Sequence, residues 1–97
     1  GRKTAGEKIA SLILMVARRD AVLKLARHTG EVRVDLPLTR EAMADYLGLT
    51  LETVSRQMTA LRKDGVIELE GKRQIVIPSI DRLIEEAADD SDGGFLV

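Results

Sequence analysis

Three polar side chains, Glu52, Ser55 and Arg56, carry the chemistry that is easiest to recognise in this sequence. An α-helix turns by about 100° per residue, so their spacing places them on the outer side of a predicted helix over 51–64. An arginine can donate two hydrogen bonds to a guanine, a glutamate can accept from the amine of a cytosine, and a serine suits either kind of base. The pattern therefore favours contacts with base edges. The apolar residues of the same helix fall on its other side and are predicted to pack inward: Val54, Met58 and Leu61.

The segment before this helix has the composition of a tight turn between two helices. Gly48 can adopt the positive φ that ends a helix, and Thr50 stands where a side-chain oxygen caps the next one. Ala44 lies four residues before Gly48, and Val54 lies six residues after it. In a helix-turn-helix these are the places where the two helices touch, so a small residue suits the first and a stiff apolar residue suits the second. The spacing therefore predicts a helix-turn-helix.

An ordinary solvated helix surface is the competing interpretation of the same polar residues. Glu52 and Arg56 lie four residues apart, a spacing at which an ion pair supports a helix in any soluble protein. Polar helix faces are common, so the pattern of this helix alone leaves both interpretations open. The turn that precedes the helix favours the DNA-binding interpretation.

The first part of the chain is predicted to be a long amphipathic helix. Thr4 and Glu7 have the spacing of a capping box, in which each side chain satisfies a backbone donor of the other residue. Apolar residues then recur at helical spacing to about Arg19, and a further helical segment over 21–26 is expected after a bend. Residues 32–36 are expected to form a short strand.

Caps and alternating residues predict the remaining elements. Thr39 is positioned to cap a helix over 40–47, and Ser79 is positioned to cap a last short helix. Residues 66–70 and 73–77 are separated by a glycine-containing turn, which predicts a β-hairpin. The sequence therefore predicts a mostly α fold with a small β-hairpin (α+β).

Composition and charge place the chain among small globular domains. Its 97 residues are 44% hydrophobic and 32% charged, enough for one domain with a limited core. Residues 1–78 carry 14 Lys/Arg against 10 Asp/Glu, whereas residues 79–97 carry one Arg against six acidic residues. The formal net charge of −1 therefore hides a basic body and an acidic end. We expect one domain over 1–88 and an acidic, flexible tail over 89–97.

Several classes of protein lack support in this sequence. It has no apolar run long enough to cross a membrane, and it has no cysteine for a disulfide, a thiol nucleophile or an iron–sulfur cluster. Its single histidine, His28, falls in a predicted exposed loop, and a metal site needs several convergent ligands. Phosphate-binding glycine loops and nucleophile motifs are also absent. The sequence therefore argues against an enzyme and against a metal site.

The run LGLTLETVSR, from Leu47 to Arg56, resembles the recognition region of the CRP/FNR superfamily of bacterial transcription regulators. Its Glu52, Ser55 and Arg56 are similar to the FNR/FixK branch, because in the CRP pattern Leu51 would be arginine and Ser55 would be glycine. The resemblance covers nearly the whole chain except the C-terminal tail. It implies a winged helix-turn-helix output domain whose target resembles the TTGAT/ATCAA inverted repeat of that branch.

Contacts with DNA phosphates are expected around the helix starts and at the tip of the hairpin, which is the wing of such a fold. The resemblance implies backbone contacts where free amides and the helix dipole favour phosphate, although the threonines there can alternatively be caps alone. Lys72 and Arg73 lie at or next to the wing tip, where a solvated hairpin end is the alternative. Glu68 and Glu70 would weaken that attraction. The predicted phosphate-binding residues are Thr39, Arg40, Thr50, Thr53, Thr59, Lys72 and Arg73.

The resemblance also implies a larger cytoplasmic regulator with a sensor domain and a dimerisation helix outside this chain. We expect a homodimer through that absent region, double-stranded DNA as the partner, and no cofactor in this chain. By position, the loop over 28–35 is the segment that would touch RNA polymerase, and a simple connector is the alternative. The rival function is a protein-interaction module without base readout, which would not need Glu52, Ser55 and Arg56 at this spacing.

Overall fold

Helices and a small sheet alternate along the chain. The structure, a computed structural model, describes residues 3–19, 31–71 and 73–88. The mostly α fold with a β-hairpin is confirmed for these residues. The predictions for 21–26, Lys72 and the 89–97 tail lie outside them. The described elements are α1 Ala5–Arg19, β1 Val32–Asp35, α2 Arg40–Leu47, α3 Leu51–Lys63, β2 Glu68–Glu70, β3 Gln74–Ile77 and α4 Ile80–Glu86.

A third strand completes the sheet that the sequence predicts as a hairpin. β1 and β2 each pair antiparallel with β3, so the strand order is β1-β3-β2. Val34 of β1 and Leu69 of β2 both lie opposite Ile75 in the central strand. Val34 is buried while Arg33 and Asp35 are exposed, the alternation expected of a strand with one face toward solvent. The predicted short strand is therefore confirmed, and its partner is β3.

The first strand of the hairpin is shorter than predicted because the residues after α3 first complete the end of that helix. The amide of Val66 donates to the carbonyl of Leu61 at 3.0 Å, and the amide of Ile67 reaches the same carbonyl at 3.4 Å. Both side chains are buried in the core. Amides that satisfy the last carbonyls of a helix are not available to a strand ladder. β2 therefore begins at Glu68.

The predicted capping box begins α1. The amide of Thr4 donates to Oε1 of Glu7 at 2.8 Å, and the amide of Glu7 donates to Oγ1 of Thr4 at 3.2 Å. The inner side of α1 is buried, and the helix packs against both α3 and α4. α1 is thus the support on which α3 rests. Its fully buried apolar residues include Ile9, Leu12, Ile13 and Leu14.

Two long-range hydrogen bonds tie the start of the described chain to the end of α4. The buried hydroxyl of Ser11 donates to the carbonyl of Ala87 at 3.2 Å, and Nζ of Lys3 donates to the same carbonyl at 2.6 Å. Carbonyls at the C-terminal end of a helix otherwise lack a helical partner. Ala88 follows in the left-handed region at φ 50°, where the helix ends.

Candidate nucleic-acid interface

The turn between α2 and α3 has the geometry that the sequence predicts. Gly48 lies in the left-handed region at φ 69° and ψ 34°, and its amide donates to the carbonyls of Ala44 and Asp45. The amide of Leu49 donates to the carbonyl of Ala44 at 2.8 Å. A Cβ at Gly48 would meet no atom within 4 Å, so glycine is favoured there by its backbone conformation and not by lack of space.

Threonine caps begin both helices of the motif, as predicted. Oγ1 of Thr39 accepts from the amide of Ala42 at 3.0 Å, and Oγ1 of Thr50 accepts from the amide of Thr53 at 3.1 Å. The hydroxyl of Thr50 also donates to Oγ1 of Thr53 at 2.9 Å, which leaves the proton of Thr53 free to donate outward. Because capping uses a hydroxyl as an acceptor, Thr39 can still donate to a phosphate oxygen, whereas at the start of α3 this donor is Thr53.

Packing leaves only one side of α3 to solvent. Ala44 and Val54, the two residues predicted at the contact between α2 and α3, are 5% and 0% exposed. Met58 and Leu61 are also buried, so the predicted inner side of α3 is confirmed. The helix therefore presents its other side outward.

The outward side of α3 brings the three predicted base-reading residues together. Glu52, Ser55 and Arg56 are all exposed, and the side chains of Glu52 and Arg56 are 82% and 64% accessible. Nη2 of Arg56 donates to Oε1 of Glu52 at 2.7 Å, so the two charged members form an ion pair. Leu51, the first residue of the helix, adds an apolar side chain that is 47% exposed.

Two further predicted phosphate-binding residues, Thr59 and Arg40, are also engaged within the protein. Oγ1 of Thr59 donates to the carbonyl of Ser55 at 3.0 Å, and a hydroxyl has only one proton to donate. A bond from Thr59 to a phosphate oxygen therefore requires that this bond opens. Arg40 is half-buried, with Nη1 3.9 Å from Sδ of Met43, and this burial lowers the pKa of its guanidinium.

At the wing, the structure places Arg73 beside a glycine turn. Gly71 has φ 66°, and the side chain of Arg73 is exposed directly after residue 72. The carbonyl of Arg73 accepts from the amide of Leu36 at 2.9 Å, which anchors this end of the wing to the chain that follows β1. Lys72, the other predicted wing residue, lies outside the described residues.

An ion pair that the sequence analysis missed crosses the exposed face of the sheet. Nη1 of Arg33 on β1 donates to both carboxylate oxygens of Glu70 on β2, and this carboxylate raises the pKa of Arg33. β3 lies between the two strands, so only the strand order brings these residues together. The pair engages one of the two glutamates expected to weaken the attraction of the wing for phosphate.

An open hollow of about 480 Å³ runs along the outward side of α3. Two of the residues that line it, Ala60 and Lys63, were not assigned as contacts from the sequence. They lie four and seven residues after Arg56, so the helical period is the signal that identifies them. The complete lining is Ser55, Arg56, Thr59, Ala60 and Lys63.

The segment predicted as a loop toward RNA polymerase is partly a strand. Residues 32–35 form β1, because Val32 and Val34 fill the core and the backbone pairs with β3. A loop over the whole of 28–35 is therefore wrong for its second half. His28 and residues 29–30 lie outside the described residues.

The described side chains offer hydrogen-bonding groups and cations rather than a metal centre. In residues 3–19, 31–71 and 73–88, no three histidine, cysteine, aspartate or glutamate residues are grouped so as to hold a metal ion. Within the same ranges, no helix is long and apolar enough to cross a membrane.

A capped turn, a second helix with one exposed polar and basic side, and a following wing together define a winged helix-turn-helix domain. The chain belongs to the Crp-like helix-turn-helix domain family, which matches residues 7–86. The resemblance to the CRP/FNR superfamily is thereby confirmed. The chain is a DNA-binding domain of a transcription regulator and not an enzyme.

Relatives of the FNR and FixK type cover much of this sequence. It is 67% identical over 97 residues to the transcriptional activator protein FnrL of Cereibacter sphaeroides, spanning all of this chain and 39% of that protein. It is 44% identical over 77 residues to the nitrogen fixation regulation protein FixK of Azorhizobium caulinodans, spanning 79% of this chain and 30% of that protein. The chain thus spans less than half the length of these relatives.

Solved structures agree with the fold. The structure of FixK2 from Bradyrhizobium japonicum superposes with a TM-score of 0.74 at 42% identity, covering 94% of this chain and 42% of that one. A variant of CooA from Carboxydothermus hydrogenoformans superposes with a TM-score of 0.72 at 26% identity, covering 88% of this chain and 37% of that one. The winged helix-turn-helix fold predicted from the sequence is confirmed.

Proposed function

We propose that this domain reads an inverted repeat resembling TTGAT/ATCAA, with α3 in the major groove and Glu52, Ser55 and Arg56 against the base edges. One observation carries the proposal. The three residues share the exposed side of a helix whose other side is buried and whose start is fixed by a capped glycine turn. A rigid helix with its early polar residues outward is what major-groove readout needs.

The chemistry of the early residues of α3 fits a mixed sequence. Arg56 can donate twice to a guanine, and Glu52 can accept from the amine of the paired cytosine. Their ion pair holds both groups on the same side of the helix before DNA arrives. Leu51 supplies an apolar surface suited to the methyl group of a thymine. Each side chain thus has a base edge that complements it.

Phosphate contacts would fix the orientation of α3 in the groove. The caps Thr39 and Thr50 lie at helix starts, where the dipole favours an anion. Thr39 retains its hydroxyl proton, and at the start of α3 the free proton is that of Thr53, which accepts from Thr50. Arg73 and Lys72 would meet the backbone from the wing. The full set proposed for the backbone remains Thr39, Arg40, Thr50, Thr53, Thr59, Lys72 and Arg73.

The assembly we propose is a dimer that binds the two halves of the repeat. Linking two half-site readers raises their effective concentration, so the isolated domain should bind more weakly than an intact dimeric regulator. We place the dimerisation region, and any cofactor that senses a signal, outside this chain, and the regulator in the bacterial cytoplasm. The contact with RNA polymerase rests on the resemblance alone.

Fluorescence anisotropy with labelled duplexes tests this proposal. The 97-residue chain is titrated onto a duplex that carries the repeat and onto a scrambled duplex of the same composition. We expect tighter binding to the repeat, with the preference retained as salt weakens binding to both duplexes. Equal binding to the two duplexes, also by a covalently linked dimer, would instead indicate an interaction module without base readout.

A further inference from the structure

Lys63 ends α3 and lies in the middle of its outward side, one turn beyond Thr59, the last residue of this helix that was predicted to touch DNA. At about 100° per residue it falls between Glu52 and Arg56 around the helix axis, opposite the buried side. Its side chain is exposed, and none of the ion pairs in the described part of the chain includes it. Lys63 therefore offers a cation on the same side as the base-reading residues.

The hollow on α3 leaves room for a DNA strand to approach Lys63. It extends from Ser55 and Arg56 at one end to Lys63 at the other. Ala60 lies between Arg56 and Lys63 in the sequence, is exposed, and contributes only a methyl group to the lining. A larger side chain at this position would occupy the space.

The length of the helix segment matches the width of the groove. Seven residues separate Arg56 from Lys63, a distance of about 10.5 Å along the helix axis. The major groove is about 12 Å wide, so its borders lie about 6 Å from the middle, and an inclined helix with Arg56 at the base edges carries Lys63 out to the bordering phosphates. We propose that Lys63 binds a backbone phosphate and that Ala60 provides the clearance for that strand.

A purely structural role for Lys63 is the competing explanation. A cation in the last turn of a helix interacts favourably with the helix dipole whether or not DNA is bound. In that case, replacing Lys63 changes the stability of the domain and leaves its DNA affinity unchanged. The inference rests on the proposed function, since it needs α3 in the groove.

The test compares Lys63→Met with the wild-type chain on the repeat and scrambled duplexes, by anisotropy between about 50 and 200 mM salt. Affinity falls with salt, and one lost phosphate contact should make the negative slope of log affinity against log salt shallower by about 0.9. The affinity lost in Lys63→Met should then be about 3.5-fold larger at the lower salt than at the higher, equally for both duplexes. Ala60→Leu should lose affinity for both duplexes, whereas Ala60→Ser should retain it.

Arg82→Met is the matched control, because it removes one exposed cation from α4, where Arg82 is paired with Glu86. Its salt slope should equal that of the wild type, and circular dichroism checks that every variant is folded. An unchanged slope in Lys63→Met, or the same change in Arg82→Met, overturns this inference while the wild-type preference for the repeat still supports base readout. If the wild type binds the repeat and the scrambled duplex equally, base readout is overturned. The salt dependence of Lys63→Met then still shows whether Lys63 contacts a phosphate.

Discussion

Thr50 combines two roles in one side chain. Its oxygen accepts from the amide of Thr53 and so caps α3, and its proton is donated to Oγ1 of Thr53, which leaves the hydroxyl of Thr53 free to donate to an outside acceptor. A cap stabilises the free domain, whereas the outward proton matters only when a phosphate is present. The two roles can therefore be separated by substitutions that keep one and remove the other.

Thr50→Asp should keep the cap and lose the phosphate contact. Aspartate caps helices at least as well as threonine, so we expect the free energy of unfolding to stay within about 0.5 kcal/mol of the wild type. Its negative charge should repel the backbone and weaken binding to all duplexes. Thr50→Ala should instead lower the free energy of unfolding by about 1 kcal/mol. Urea denaturation and anisotropy measure the two effects, and wild-type affinity in Thr50→Asp would exclude the phosphate contact.

The ion pair between Glu52 and Arg56 is compatible with base readout because it is weak. Exposed pairs at this spacing contribute about 0.3–0.5 kcal/mol, while a well-formed bidentate base contact is worth about 1–3 kcal/mol. DNA binding can therefore separate the side chains of Glu52 and Arg56 at a small cost in free energy. The competing interpretation drawn from the sequence, an ion-paired solvated face, describes the free protein, and base readout is proposed for the complex.

Among the elements, the α2–α3 turn depends on the backbone conformation of a single glycine. Gly48 lies at φ 69°, a conformation that costs a residue with a Cβ roughly 1–2 kcal/mol. Gly48→Ala should lower the free energy of unfolding by about that amount in urea denaturation, and it should also displace the start of α3.

Gly6→Ala is the matched control for this turn. A Cβ at Gly6 would lie 2.9 Å from Oε1 of Gln57, the far end of a flexible side chain that can move aside. Since alanine is favoured over glycine in a helix by up to about 1 kcal/mol, Gly6→Ala should not reduce stability. An equal decrease in the free energy of unfolding of the two variants would indicate that the left-handed conformation at position 48 does not require glycine.

Local elements could be predicted from the sequence, whereas contacts between distant segments could not. The caps at Thr4, Thr39 and Thr50 and the Gly48 turn depend on residues three or four positions apart, which a sequence displays directly. The pairing of β1 with β3 depends on how the whole chain folds back, and no residue near β1 indicates this partner. The same holds for the ion pairs and caps that join residues far apart, such as Lys3 and Ala87.

At the scale of the whole molecule, charge is divided between a basic body and an acidic end. Residues 89–97 contain three aspartates and no lysine or arginine, so ending the chain at Ala88 changes the formal net charge from −1 to +2. Removing like charge from a DNA-binding chain should raise its affinity for the repeat and for scrambled DNA alike. The gain should be largest at low salt because screening suppresses it at high salt. Anisotropy at two salt concentrations checks this, and an unchanged affinity at low salt would contradict it.

The position of the candidate site in the fold could also be predicted in part. The helical period of α3 predicts that Glu52, Ser55 and Arg56 point outward and that the apolar residues point inward, and the structure agrees. The intramolecular contacts of Arg40 and Thr59 were harder to predict, because the sequence does not show which neighbours a side chain contacts in the free protein. Their burial and hydrogen bonding depend on rotamers that packing selects.

The most direct measurement is a double-mutant cycle between Arg56 and the guanine of the TTGAT half-site. Wild-type and Arg56→Ala chains are each titrated onto the repeat and onto a repeat in which that G·C pair is replaced. We expect the base-pair change to cost the wild type about 1–3 kcal/mol and to cost Arg56→Ala clearly less, since only the contact of Glu52 with the cytosine then remains to be lost. The same penalty in both proteins would contradict readout of that base pair by Arg56, and with it the central claim that α3 reads the sequence.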